Sequence, residues 1–226
     1  MDLVTEMSNL VASLQKYIGK SGNQLLNDLS ITTSAKSKNY IIASNLCYQY
    51  KGKSYFNSLC SHANIHLKTI QLKENNKPQE AMSFATIDFD EIVLEEWNTS
   101  SFKNFLEGYF IFFVFKKIDN QNIVDKIFLW KMPVEDLNIV KNVWESTKNY
   151  IKNGNVIKDI VNEKVITNFI SESDDLICHV RPHGKNGLDL IVLPVADKKT
   201  GYLGITKQSF WFNHNYLFRI INELED

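Results

Sequence analysis

Apolar residues at Leu3, Met7, Leu10, Val11, Leu14 and Ile18 recur every three or four positions, the spacing of one buried helix face. They predict a helix over residues 3–18, ended by Gly19 and Gly22. Further helices are predicted over 23–29 and over 38–50, the second stopped by Gly52. The period then changes. Over residues 65–72, Ile65, Leu67, Thr69 and Gln71 fall on one side and His66, Lys68, Ile70 and Leu72 on the other, which predicts a strand. Residues 74–78 read as a turn. Strands are predicted over 81–89, 108–117 and 124–132, then a long amphipathic helix over 134–153 that breaks at Gly154. Strands over 175–180, 188–195 and 202–207 and a closing helix over 210–224 complete the pattern. With no internal repeat, low-complexity tract or Pro/Gly/Ser linker, the economical reading is one α/β (α+β) domain with two lobes around a cleft.

Composition narrows the class. At 44% hydrophobic and 12% aromatic, 226 residues bury a sizeable core. The longest apolar run, 109–115, is the length of a core strand and far short of the roughly 18 residues of a membrane span. No basic flank precedes an apolar stretch near the start, so no secretory signal is expected. The cysteines, Cys47, Cys60 and Cys178, are odd in number and lack CxxC or Cys/His ligand spacing. Together these predict a cytoplasmic protein with no membrane partner and no structural zinc. His62 and His66 have the i, i+4 spacing of a helical metal pair, but His66 falls on a predicted strand, so no metal site is expected there.

Charge is more telling. The net charge is −1 and the pI near 6.5, which excludes a protein that coats nucleic acid by bulk charge. Any nucleic-acid site must be a local patch. Residues 80–96 hold six acidic side chains and no basic one, whereas residues 178–219 hold six Lys/Arg and three His against two Asp. The chain has 23 lysines but only two arginines, Arg181 and Arg219. Guanidinium is the group suited to bidentate reading of guanine or clamping of phosphate, so each arginine is a site candidate. Arg219, in a predicted amphipathic helix, reads better as a structural ion pair.

Three ordered segments resemble the MutH family, the GATC-specific mismatch-repair endonucleases and related type II restriction enzymes. The run Ile65-His66-Leu67-Lys68-Thr69-Ile70, with the Lys77-Pro78-Gln79-Glu80 turn, is similar to the family's "VELKTI" strand and "RPLE" turn. Ile127-Phe128-Leu129-Trp130-Lys131-Met132-Pro133 and the helix after it resemble "PLLWSP". Cys178-His179-Val180-Arg181-Pro182-His183-Gly184-Lys185 resembles "LQIRPKA", and Ser209-Phe210-Trp211-Phe212-Asn213 resembles "GFYLKKN". The resemblance spans essentially the whole chain. It implies a restriction-endonuclease-like fold of the PD-(D/E)xK type, with a mixed central sheet flanked by helices and lobes at roughly 1–60 and 170–226.

The resemblance also implies an active site and a reading site. Family members cut with Mg²⁺ held by an upstream Glu, an Asp and a Glu-x-Lys. Aligned on Lys68, those positions hold Asn45, Leu59 and His66. Only the lysine survives. A neutral amide and imidazole beside an ammonium group is a poor set for a hard cation, so no catalytic residue and no cofactor are expected in this domain, and Mg²⁺ only in a larger enzyme. The reading elements are present: Arg181 and Pro182 match, and His183 and Lys185 follow. Trp211 stands where the family senses adenine N6 with tyrosine, which relaxes the expected response to methylation. Lys207, His214, Lys198 and Lys199 are candidate phosphate contacts.

The expected role is that of the C-terminal, catalytically degenerate half of a Sau-type, GATC-specific type II restriction endonuclease. Such a half would bind GATC duplex as an allosteric effector and partner the catalytic MutH-like half. Two alternatives remain at this point. One is an active endonuclease with carboxylates relocated to Asp88, Asp90 and Glu91. The other is a structural dimerisation module without DNA binding.

Overall fold

The computed structural model describes residues 2–223. In chain order it holds α1 (Leu3–Leu14), α2 (Gly22–Asp28), α3 (Lys38–Lys51), α4 (Lys53–Ala63), β1 (Ile65–Leu72), β2 (Met82–Thr86), α5 (Phe89–Ile92), α6 (Ser101–Leu106), β3 (Tyr109–Ile118) and β4 (Gln121–Lys131). The rest comprises α7 (Val134–Lys152), β5 (Ile157–Val161), β6 (Lys164–Thr167), β7 (Cys178–Pro182), β8 (Leu190–Val192), β9 (Gly204–Thr206), β10 (Gln208–Phe212) and α8 (His214–Asn222). The chain divides into two units interleaved in sequence, residues 1–80 with 105–132 and residues 81–104 with 133–226.

The first unit is built on the sheet β1-β3-β4, in which β1 runs parallel and β4 antiparallel to β3. Residues 110–115 of β3, Phe-Ile-Phe-Phe-Val-Phe, are wholly inaccessible to solvent. A strand covered on both faces reads as a continuous apolar run rather than an alternation. Each such side chain contributes roughly 1.5–3 kcal/mol of burial, well above any single exposed ion pair. One face carries Ile65, Ile111, Phe113, Phe115 and Ile127 against Met7, Leu10, Leu14, Leu25, Ile42, Leu46 and Leu59 of the four helices. Asp119 and Asn120, both at positive φ, form the tight turn from β3 to β4.

The second unit holds the antiparallel sheet β2-β10-β7 and the hairpins β5-β6 and β8-β9. Alternation in β10 sorts its residues. Phe210 and Phe212 join Cys178, Val180, Phe84 and Phe102 on an apolar side, with Phe102 stacked on Phe210 at 4.3 Å and Phe84 edge-on to Phe212 at 4.7 Å. Ser209 and Trp211 share the other side with Arg181 and His179. Asp197, almost fully buried, accepts the Ile157 amide at 2.8 Å and the Thr200 hydroxyl at 2.9 Å, tying the β5 strand to the loop after β8. Arg219 binds Asp136 at 2.6 Å, the structural ion pair expected of it.

The architecture corrects several expectations. Among the described residues the strands form several small sheets rather than one central sheet: only β1-β3-β4 is mixed, and β2 takes its ladder bonds from β10 and not from β1 or β3. The strand expected over 81–89 stops at Thr86, since Asp88 caps α5 by accepting the Asp90 and Glu91 amides. Residues 208–212 are a strand and not the start of the closing helix, which begins after Asn213; the end placed at Leu224 lies outside the described residues. Helix α4 and the β5-β6 hairpin had no counterpart in the sequence pattern read above.

Gly108 sets the start of β3. A Cβ there would stand 2.3 Å from the Asn64 carbonyl and 2.7 Å from His66 Nε2. Gly108→Ala is expected to lower stability by about 2–3 kcal/mol, measured by urea denaturation, because the nearer obstacle is backbone.

Candidate functional site

Around Lys68, the face of the first sheet opposite the helices is aromatic. His66 and Lys68 sit opposite Phe110 and Phe112 of β3, which pair in turn with Trp130 and Phe128 of β4. The His66 ring stacks on Phe105 with centroids 3.7 Å apart and lies 5.2 Å from Phe110. Phe110 and Phe112 each contact Trp130, at 5.5 and 5.8 Å. The Lys68 ammonium stands 5.6 Å from the Phe105 ring centroid. Burial, and then the Lys68 charge, push the His66 pKa down to about 4, and burial also lowers that of Lys68. Both groups are thus biased toward their neutral forms.

The other two positions from the family pattern lie on helices. Asn45 in α3 gives its amide nitrogen to the Ile41 carbonyl of its own helix at 2.8 Å. Leu59 in α4 is buried in the hydrophobic core. An amide, an alkyl group, an imidazole of low basicity and a lysine supply no anionic oxygen, so these residues do not fit Mg²⁺. Among the described residues no three His, Cys, Asp or Glu side chains cluster in a way that would hold a metal ion. His62, on α4, meets the Ser58 carbonyl at 2.7 Å. Asp88, Asp90 and Glu91 belong to the second unit, where the Asp88 carboxylate is committed to the cap of α5.

The second unit gathers the residues expected to read DNA. Arg181 and Pro182 end the edge strand β7 and are not in the loop, which begins at His183. Ser209 lies opposite Arg181 and Trp211 opposite His179, so Trp211 is a diagonal neighbour of Arg181 on the same face. The Arg181 guanidinium carbon stands 3.8 Å from the centroid of the Trp211 ring, a stacked cation–π contact. His183 meets the same ring edge-on at 4.8 Å, and its Nδ1 lies 2.9 Å from the Ser209 hydroxyl. The Trp211 ring thereby contacts both Arg181 and His183. Its indole N–H is buried without a hydrogen-bond partner among the described residues.

The candidate phosphate contacts differ in their surroundings. Lys185 is exposed, and its amide binds Asp189 at 3.0 Å. Lys207 is paired with Asp189 at 2.7 Å, which holds that carboxyl below its usual range. Lys199 faces Asp159 at 3.6 Å, and Lys198 is exposed. His214 binds Glu172 through Nδ1, and Glu172 also lies 3.8 Å from Arg181. Glu172, Ser209 and the buried His179–Asn213 pair were not legible as site residues, because 26 to 42 residues of chain separate Ser209 from His183, His179 from Asn213 and Glu172 from His214.

No helix of the described residues is long and apolar enough to cross a membrane. Residues 48–143 match the family model described as the DNA mismatch repair enzyme MutH. The chain is 33% identical over 247 residues to the type II restriction enzyme Sau3AI of Staphylococcus aureus, across 93% of this chain and 50% of that enzyme. It therefore spans about half the length of the curated relative it matches. The matched segment contains β1, β3, β4 and the aromatic face around Lys68.

The depressed basicity of His66 has a consequence for stability. The unfolded chain takes up its proton near 6.5 and the folded chain only near 4, so stability is full above about 6.5 and falls as pH drops through that window. Urea denaturation at pH 7 and pH 5 is expected to show this loss, and His66→Phe to reduce it.

Proposed function

We propose that this chain, similar to the MutH-type endonucleases over residues 48–143, binds GATC-containing duplex DNA sequence-specifically without cutting it. In this reading it is the second-site, effector half of a larger type II restriction enzyme whose other half carries the Mg²⁺ and the cutting. What carries the proposal is the contrast between two sites. Asn45, Leu59, His66 and Lys68 carry no anionic oxygen, whereas the segment around Arg181 holds a guanidinium ordered on an indole face.

The roles follow from the chemistry. Arg181 presents N–H donors for guanine O6 and N7 in the major groove. Stacking on Trp211 removes side-chain freedom before DNA arrives, which lowers the entropic cost of forming that contact. Exposed Lys185 and Lys198, with His183, supply phosphate contacts that set register without reading sequence. Lys207 serves there only on release from Asp189. A domain that binds a second site favours a cutting-competent, DNA-looped state by as much as its contacts discriminate between the two states.

Fluorescence anisotropy with GATC and scrambled duplexes at moderate salt tests the binding. The wild-type chain is expected to prefer GATC, and Arg181→Ala to cost about 1–3 kcal/mol of that preference, or roughly tenfold or more. Equal binding of both duplexes, or of neither, would sink the reading. Incubation of GATC plasmid with this chain and Mg²⁺ or Mn²⁺ is expected to leave it intact; clean cutting would overturn the non-cleaving part.

A further inference from the structure

We propose that Glu172 is a specificity-determining residue of the Arg181 site: its carboxylate poses the guanidinium on Trp211 and repels phosphate, so that tight binding requires the base contact. This rests on the DNA-reading role proposed above. Glu172 is a positioning residue in this scheme and does not itself touch a base.

Its placement is fixed from both sides. Glu172 opens a single 3-10 turn, Glu172–Asp174, just before β7. Asp174 accepts the Ser171 amide at 2.7 Å and the Ser171 hydroxyl at 2.9 Å, closing a capping box across the turn. Upstream, the Ile170 carbonyl accepts the Val180 amide at 2.8 Å, and downstream Asp175 accepts the Asn215 side chain at 2.9 Å. The turn is thus tied to β7 on one side and to α8 on the other. One carboxylate oxygen binds His214 Nδ1, which leaves the second facing the Arg181 Nη1 at 3.8 Å.

That distance decides what the carboxylate does. At 3.8 Å it attracts the guanidinium without a short hydrogen bond, so the N–H edge is oriented but not consumed. The stack on Trp211 uses the face of the group and also spares its five N–H donors. Burial raises the Glu172 carboxyl, but the His214 hydrogen bond and the charges of His214, His179 and Arg181 outweigh it and hold the group below its usual range. The site therefore keeps a negative charge beside Arg181 and His214. Without it, the Arg181 guanidinium would accept any backbone phosphate. A repulsive element aimed at the wrong contact is one of the two ways to obtain specificity.

The test is anisotropy on the whole chain with GATC and scrambled duplexes over a salt series. Glu172→Gln keeps the shape and a hydrogen bond to His214 but removes the charge. It is expected to tighten scrambled-duplex binding about three- to tenfold and to steepen its salt dependence, while GATC binding stays level or weakens, so discrimination falls roughly tenfold. Glu172→Asp, which retains the charge, is expected to keep discrimination within about threefold of wild type. If the wild type discriminates and Glu172→Gln keeps the same ratio, or weakens both duplexes equally, the proposal is overturned. If the wild type itself does not discriminate, the DNA-reading assignment fails and takes this proposal with it.

Discussion

Strand β3 is buried on both faces, and that constraint governs the chemistry of the first unit. Six consecutive side chains without solvent contact need apolar neighbours above and below. The helices α1–α4 supply them on one side. On the other side the register places Phe110 and Phe112 beside His66 and Lys68, and Phe128 and Trp130 beyond them. The burial that stabilises the sheet therefore also sets the medium around His66 and Lys68. Both groups respond in the direction that sheds charge. A divalent-metal centre requires the reverse, with converging anionic oxygens and access to water.

The second sheet solves a different problem. Its apolar side is completed by Phe84, Phe102, Phe210 and Phe212, which frees the opposite side of β7 and β10 for polar work. An antiparallel pair sets side chains at fixed cross-strand distances, and this is how Trp211 comes to lie diagonally beside Arg181. A long flexible cation gains a definite pose from a rigid ring. In the proposed role, the accuracy of base reading is thus set by strand register rather than by a loop.

What was legible in the sequence was periodicity that stood alone. Strand β1 was readable to the residue, and α3 before Gly52 and the long helix before Gly154 to within one residue, because each ends at a turn signal. Helix α4 was missed because Phe56, Leu59 and Ala63 are sparse among polar neighbours and follow directly on the Gly52 break. Hairpin β5-β6 was missed because its turn, Asn162-Glu163, carries no glycine although both residues take positive φ. Residues 210–212 are an unbroken apolar run, which fits a buried strand and a buried helix equally well. The positions Asn45, Leu59, His66 and Lys68 were found by alignment on a motif. The aromatic rings now around the last two were not, since only cross-strand register brings Phe110 and Trp130 to them. Glu172 stayed hidden for the same reason: its partners lie 9 and 42 residues away in sequence, and no local pattern links them.

The packing around Lys68 also bears on which substitutions that face tolerates. A single change of Leu59 to aspartate would place an unpaired carboxylate in the helix core, and one of His66 to glutamate would set it against Phe105 and Phe110. The first step buries a charge with nothing to neutralise it, at a cost of several kcal/mol, whereas the second is offset in part by the neighbouring Lys68 ammonium. Metal ligation would offset that cost only once several ligands were present together. A lone aspartate at position 59 therefore lowers stability before any metal could bind. An aromatic wall of this kind acts as a ratchet, preserving the fold while making the chemistry on that face hard to change.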